Sequence, residues 1–257
     1  MATILDKILE QKKHEILTLK KEALVVPNSP SRKKCSFLER LQTGKEIAII
    51  AEFKRASPSK GDINTELDPV SQALSYIKYG ADAISVLTDT PFFKGSFADL
   101  NSIREAVNAP VLCKDFIIDE VQIVKAKSAG ANIILLIAAA LNEGRLKELY
   151  TFAVNNGMEV LMEVHNEDEL YKALQAGARI IGVNNRDLKT FTVDLAVTER
   201  LGPKIKRAGA FLISESGIRT KKDVQRVINA GVNGILVGEA FMQASNLESL
   251  ISEMKNY

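Results

Sequence analysis

Five short apolar stretches of this 257-residue chain finish on side chains that can hold or move a proton. Glu52 and Lys54 close the first, Lys114 the second, Glu163 the third, Asn184 and Arg186 the fourth, and Glu215 the fifth. Carboxylates interleaved with ammonium and guanidinium groups suit general acid and base chemistry on an anionic molecule, because each charge holds its neighbour until a ligand exchanges the pairing. Taken singly, each is a solvated residue at a loop edge. Five stretches ending alike point to one shared site, since buried charge is costly unless paired, and Lys54, Lys114 and Arg186 can balance Glu52, Glu163 and Glu215. Two further segments, Glu215-Ser216-Gly217-Ile218 and Val237-Gly238-Glu239-Ala240, put a glycine just beyond an apolar run. Bare backbone N–H groups there, with a helix N-terminus following, suit a phosphate; a plain turn is the alternative.

Side chains so far apart in sequence need a scaffold that gathers them. Apolar β-rich runs occur at 47–53, 83–87, 110–114, 133–137, 159–164, 180–184, 211–215 and 234–237, and helical periodicity at 69–78, 119–128, 144–155, 168–175, 222–229 and 247–254. Strand followed by helix, repeated, predicts a parallel sheet. Tyr79-Gly80-Ala81-Asp82, Ala129-Gly130-Ala131-Asn132, Ala176-Gly177-Ala178-Arg179 and Ala230-Gly231-Val232-Asn233 each precede a strand, with a glycine placed to end a helix in the left-handed conformation. Eight strands with this repeat predict a closed (β/α)8 barrel over residues 47–257, and no Gly-x-Gly-x-x-Gly motif follows a strand to favour a dinucleotide fold. In such a barrel the carboxyl ends of the strands carry the chemistry. The two-residue period puts Glu52 and Lys54 on one face of the first strand and turns Ala51 and Phe53, like Cys113 on the third, toward the helices.

Residues 1–46 read as an extension. Ile4, Leu5, Ile8, Leu9, Ile16 and Leu19 form an apolar stripe of an amphipathic helix, and Val26 to Lys34 reads as an exposed basic linker or a contact for an acidic partner. The whole is expected to be one barrel domain with an extra N-terminal helix. Basic and acidic residues nearly cancel, 34 against 32, which argues against a protein held on nucleic acid by phosphate contacts. Cys35 and Cys113 make no disulfide framework. His14 and His165 have no companions at ligand spacing, so both read as surface or loop residues, and neither a metal site nor a Ser-His-Asp triad is expected. With neither a signal-peptide core nor a membrane span, a cytoplasmic location is expected.

The strand-end motifs resemble those of the indole-3-glycerol phosphate synthase family. Ile49-Ile50-Ala51-Glu52-Phe53-Lys54-Arg55-Ala56-Ser57-Pro58-Ser59-Lys60-Gly61 is similar to its first-strand signature and Leu112-Cys113-Lys114-Asp115-Phe116 to its third. Leu161-Met162-Glu163-Val164-His165, Gly182-Val183-Asn184-Asn185-Arg186-Asp187-Leu188 and Ser214-Glu215-Ser216-Gly217-Ile218 continue the match in order. Cys113 departs from a basic residue frequent in the family, on the strand face turned away from the site.

The resemblance implies ring closure, decarboxylation and dehydration of 1-(2-carboxyphenylamino)-1-deoxyribulose 5-phosphate to indole-3-glycerol phosphate, carbon dioxide and water, in tryptophan biosynthesis and without a cofactor. It assigns Lys114 as general acid, Glu163 as base for the dehydration, and Lys54 as anion holder and second acid. Glu52, Asn184, Arg186 and Glu215 orient hydroxyls and set lysine charge. Ser57, on a loop expected to be mobile, meets the carboxylate, and Ser216, Gly217, Gly238 and the backbone of Glu239 hold the phosphate. The implied partners are this small anionic substrate and, in the host, other enzymes of the same pathway. Two alternatives stay open from the residues alone: a lyase using Lys54 or Lys114 as a Schiff-base nucleophile, and a catalytically silent phosphate-binding scaffold.

Overall fold

A computed structural model describes residues 3–21, 35–44 and 46–256. Eight parallel strands close on themselves: β1 Ala48–Phe53, β2 Ala83–Leu87, β3 Val111–Lys114, β4 Ile133–Ile137, β5 Glu159–Val164, β6 Ile180–Asn184, β7 Phe211–Glu215 and β8 Gly234–Val237. Closure is made by β8 against β1, with Ala48 opposite Gly234. All eight predicted strands are present, and the protein is a (β/α)8 barrel. The linker expected from Val26 to Lys34 lies outside the described residues.

Each strand is buried on both faces, which is why it reads as an apolar run rather than an alternating one. Ile50, Leu112, Leu135, Leu161, Ile213 and Leu236 fill the inside of the cylinder, while Ala51, Phe53, Val86 and Cys113 pack outward beneath the helices. Phe37 and Leu41, on the short helix Phe37–Thr43, join the inner cluster and stopper the end where the strands begin. Glu159 fastens that stopper by accepting from Ser36 Oγ at 2.5 Å and from the N–H groups of Phe37 and Leu38 at 3.0 Å each.

The tetrapeptide repeat has a second use at this end. Gly80, Gly130, Gly177 and Gly231 all have positive φ, as expected for helix-ending glycines. Beyond them, the carboxylate of Asp82 accepts from Ile49 N–H at 2.9 Å, and the amide oxygens of Asn132 and Asn233 accept from Val111 N–H at 3.0 Å and Leu212 N–H at 2.9 Å. The fourth residue of three repeats therefore ties its own strand to the preceding one.

Two of the longer helices escape the sequence reading. Phe97–Ala106 sets Asp99, Asn101, Ser102 and Arg104 among its apolar residues, and Ala196–Arg207 contains Gly202 and Pro203, residues of poor helix propensity. Gly202 is there for close approach: a Cβ would stand 2.5 Å from the carbonyl oxygen of Ala230.

The N-terminal helix Ile4–Leu19 starts from a reciprocal cap between Thr3 and Asp6. Its Lys12 is buried and reaches Asp89 and Asp115, in the loops after β2 and β3, at 2.9 and 2.8 Å. Burial alone would favour the neutral amine, but Asp115 and Asp89 hold the ammonium well above the usual lysine range. This buried cluster pins the helix over the carboxyl ends of the strands.

Candidate active site

At those carboxyl ends opens a cavity of about 490 Å3. Glu52, Lys54, Ser57, Lys114, Glu163, Asn184, Arg186, Glu215, Ser216, Gly217, Gly238 and Glu239 all line it, so every residue singled out from the sequence borders one space. Strand parity does most of this: Glu52, Lys114, Glu163 and Glu215 each occupy an inward position near the last turn of a strand.

The charges form two ion-paired groups that act on each other through space. Lys54 Nζ donates to Glu52 Oε1 at 2.6 Å, and Ser85 Oγ to Glu52 Oε2 at 3.4 Å. Lys114 Nζ donates to Glu215 Oε2 and stands 3.6 Å from Glu163 Oε2. Glu52, Glu163 and Glu215 are only 3, 4 and 2% exposed, so solvent screens little of this. Burial opposes the ammonium of Lys114, yet Glu215, Glu163 and Glu52 together raise its pKa far above that of a free lysine. Burial likewise works against the charged form of Glu52, but Lys54 and Lys114 outweigh it and hold the carboxyl below the usual glutamate range.

Glu215 goes the other way: burial, reinforced by repulsion from Glu163 and Glu52, pushes it up to about 7 despite Lys114. Its Oε1 is buried with no hydrogen-bond partner. Gly182 on β6 makes the room for it, since a Cβ at Gly182 would run into that oxygen.

Around these groups the remaining candidates take up distinct places. Asn184 Oδ1 accepts from Arg186 N–H at 3.0 Å, and Arg186 Nη1 donates to the carbonyl of Phe191 at 3.2 Å. Ser57 lies in a segment that pairs with itself: Ala56–Ser57 and Gly61–Asp62 form a short antiparallel hairpin that the sequence did not signal. Lys60 at its tip reaches 3.5 Å from Glu239 Oε1, across the cavity mouth.

Ser216 and Gly217 both have positive φ, 66° and 85°, and so bend the chain sharply after β7. A side chain at Gly217 would place its Cβ 2.5 Å from Val193 Cγ1, and one at Gly238 would lie 2.6 Å from Glu52 Oε1. Both positions need glycine to let backbone approach the space. Glu239 begins a short helix and directs its carboxylate to Arg219 at 3.0 Å.

Several residues that shape the site were missed. Asn185 donates to the carbonyls of Glu215 and Ser216 at 2.9 and 3.0 Å while its Oδ1 accepts from Thr198, fixing the turn that carries Ser216 and Gly217. Phe93 and Phe116, with ring centroids 5.8 Å apart, and Ile4, Leu5 and Ile8 of the N-terminal helix supply an apolar wall. An apolar stripe signals that a helix packs, not on what. His165 is not a surface residue: its ring is 13% exposed and lies behind Glu163. His14 is exposed, as expected. Among the described residues no cluster of three or more His, Cys, Asp or Glu is arranged to hold a metal ion, and no helix is long and apolar enough to cross a membrane.

Comparison with known proteins places this geometry. The model of the indole-3-glycerol phosphate synthase family matches residues 5–254. A Bacillus cereus protein named indole-3-glycerol phosphate synthase is 52% identical over 255 residues, 99% of each chain. Proteins of the same name from Bacillus thuringiensis subsp. konkukian and Bacillus anthracis are 50% identical over the same share. The chain belongs to the indole-3-glycerol phosphate synthase family.

Proposed function

We propose that this member of the family closes the indole ring of 1-(2-carboxyphenylamino)-1-deoxyribulose 5-phosphate, releasing carbon dioxide and water, with the residues in the following roles. The observation that carries the assignment is Lys114, an ammonium held by Glu215 and Glu163 at the floor of the cavity. A lysine whose pKa is raised stays an ammonium with a proton to give, whereas a Schiff-base nucleophile needs one that is lowered.

Lys114 protonates the ketone oxygen as the aromatic carbon attacks the ketone carbon. Loss of carbon dioxide then restores the aromatic ring, and the ring supplies the driving force, so no metal or organic cofactor is called on. Glu163 takes the proton removed in the dehydration, and Lys54, neutralised by Glu52 until substrate arrives, holds the anionic substrate and serves as second acid. Glu52, Asn184, Arg186 and Glu215 orient the hydroxyls and fix the lysines' charge. Ser57 meets the carboxylate. The backbone at Ser216, Gly217, Gly238 and Glu239 receives the phosphate, where the glycines spare the space a side chain would fill. The aromatic ring lies against Phe93, Phe116 and the N-terminal helix. A cytoplasmic setting beside other tryptophan-pathway enzymes completes the reading.

The test is a fluorescence assay for indole-3-glycerol phosphate with wild type, Lys114→Met and Glu163→Gln. Both variants are expected to lose about a hundredfold or more, the usual scale of positioned proton transfer. Wild-type rates from both would overturn the roles, and a borohydride-trapped adduct on Lys114 would favour the Schiff-base lyase.

A further inference from the structure

Behind Glu163, out of the cavity, stands a largely enclosed histidine between two carboxylates. His165 Nδ1 is 2.9 Å from Glu169 Oε2, and the same oxygen accepts the backbone N–H of His165 at 2.8 Å. On the other side of the ring, Nε2 lies 3.5 Å from Glu163 Oε1 and has no hydrogen-bond partner, although it is buried. An ionised carboxylate only accepts, and a neutral imidazole has one N–H to give. Glu169 takes that N–H, being the nearer and doubly bonded partner. A neutral ring would then turn a bare nitrogen lone pair toward Glu163 in a space closed to water. A second ring proton removes the conflict and turns repulsion into attraction.

We infer that His165, as an imidazolium clasped by Glu169, is a positioning residue for Glu163, orienting its carboxylate for its work as base. This rests on the proposed role of Glu163. The surroundings agree: burial alone would lower the histidine pKa, but the hydrogen bond to Glu169 and the charges of Glu163, Glu169 and Glu215 raise it. The charged groups facing the ring are Glu169 from its own helix Glu167–Gln175, Glu163 from β5 and Glu215 from β7, with Lys114 of β3 beyond Glu163. The ring does not line the cavity, so it acts on the substrate only through Glu163.

His165→Asn keeps a donor near the Nδ1 position for Glu169 and deletes the group facing Glu163. It is expected to lower kcat about tenfold at pH 6.5 with KM within about twofold, a modest share of what general base catalysis supplies. The ratio of wild-type to variant kcat should shrink toward one as rising pH strips the ring of its proton, and a merely structural role gives a ratio flat in pH. In a Glu163→Gln background His165→Asn should change nothing further. Glu169→Gln, which removes the anion that keeps the ring charged, should shift kcat in the same direction by a smaller factor, and it decides the matter if His165→Asn does not fold. Wild-type kcat in His165→Asn at every pH, with Glu163→Gln inactive, overturns the inference alone; an active Glu163→Gln overturns the role of Glu163 itself.

Discussion

The two ends of the barrel use charge in opposite ways. Where the strands begin, the half-buried carboxylates Asp82 and Glu159 have dedicated partners: Asp82 binds Arg40 at 2.7 Å, Lys255 at 3.2 Å and Ile49 N–H at 2.9 Å, and Glu159 accepts three hydrogen bonds from the stopper helix. Where the strands end, three buried carboxylates share Lys114 and Lys54, one carboxylate oxygen is left without a donor, and one carboxyl holds its proton to near neutrality. Satisfied charges fix a backbone. Crowded, under-satisfied carboxylates suit a place where a ligand completes them, so the crowding is the more informative sign of function.

The sharpest test of this division sets one residue from each end side by side. Lys114→Met should reduce kcat by roughly a thousandfold, measured by indole fluorescence, while product binding followed by titration stays within about tenfold. Asp82→Ala should leave kcat within about twofold but lower thermal stability by about 3 kcal/mol, or roughly 8 °C in Tm, because an ion pair and a strand cap go together. Loss of activity in a folded Asp82→Ala protein would break the division.

A third test concerns the sign of the pH dependence. Glu215 keeps a proton in the folded protein between pH 4.5 and about 7 that the unfolded chain has already released, so folding binds protons there and stability falls as pH rises through that window. Glu215→Gln removes this loss. Its stability relative to wild type, from urea titrations, should therefore improve between pH 5 and pH 8, by up to about 3 kcal/mol, while its kcat falls. A difference constant in pH would place Glu215 among the satisfied charges of the other end. The smallest expected effect is none at all: exhaustive chelation should leave kcat unchanged, since the proposed chemistry uses only protein acids and bases.

Much of this was legible in the sequence for a physical reason. Strands buried on both faces must be apolar throughout, so a charge at their last inward position stands out, which is how Glu52, Lys114, Glu163 and Glu215 were found. The glycines after the helices were equally readable. Harder to see were features whose partner lies elsewhere in the chain. Asp82, Asn132 and Asn233 were visible as a repeat, but that their side chains cap neighbouring strands depends on the closed register. His165 gave no signal, because its meaning comes from Glu169 one turn into the next helix and from Glu163 across the strand end. Gly202 obscures its helix, since a close approach to Ala230 outweighs helix propensity there.

The ties made by Asp82, Asn132 and Asn233 act like stitches along a hem: each seam they close lies at the far end from the loops that meet the ligand. A newly grafted loop between β7 and the helix after it, or between β8 and its successor, leaves those seams untouched. The scaffold can thus be re-tailored at one edge for another anionic substrate without unravelling at the other.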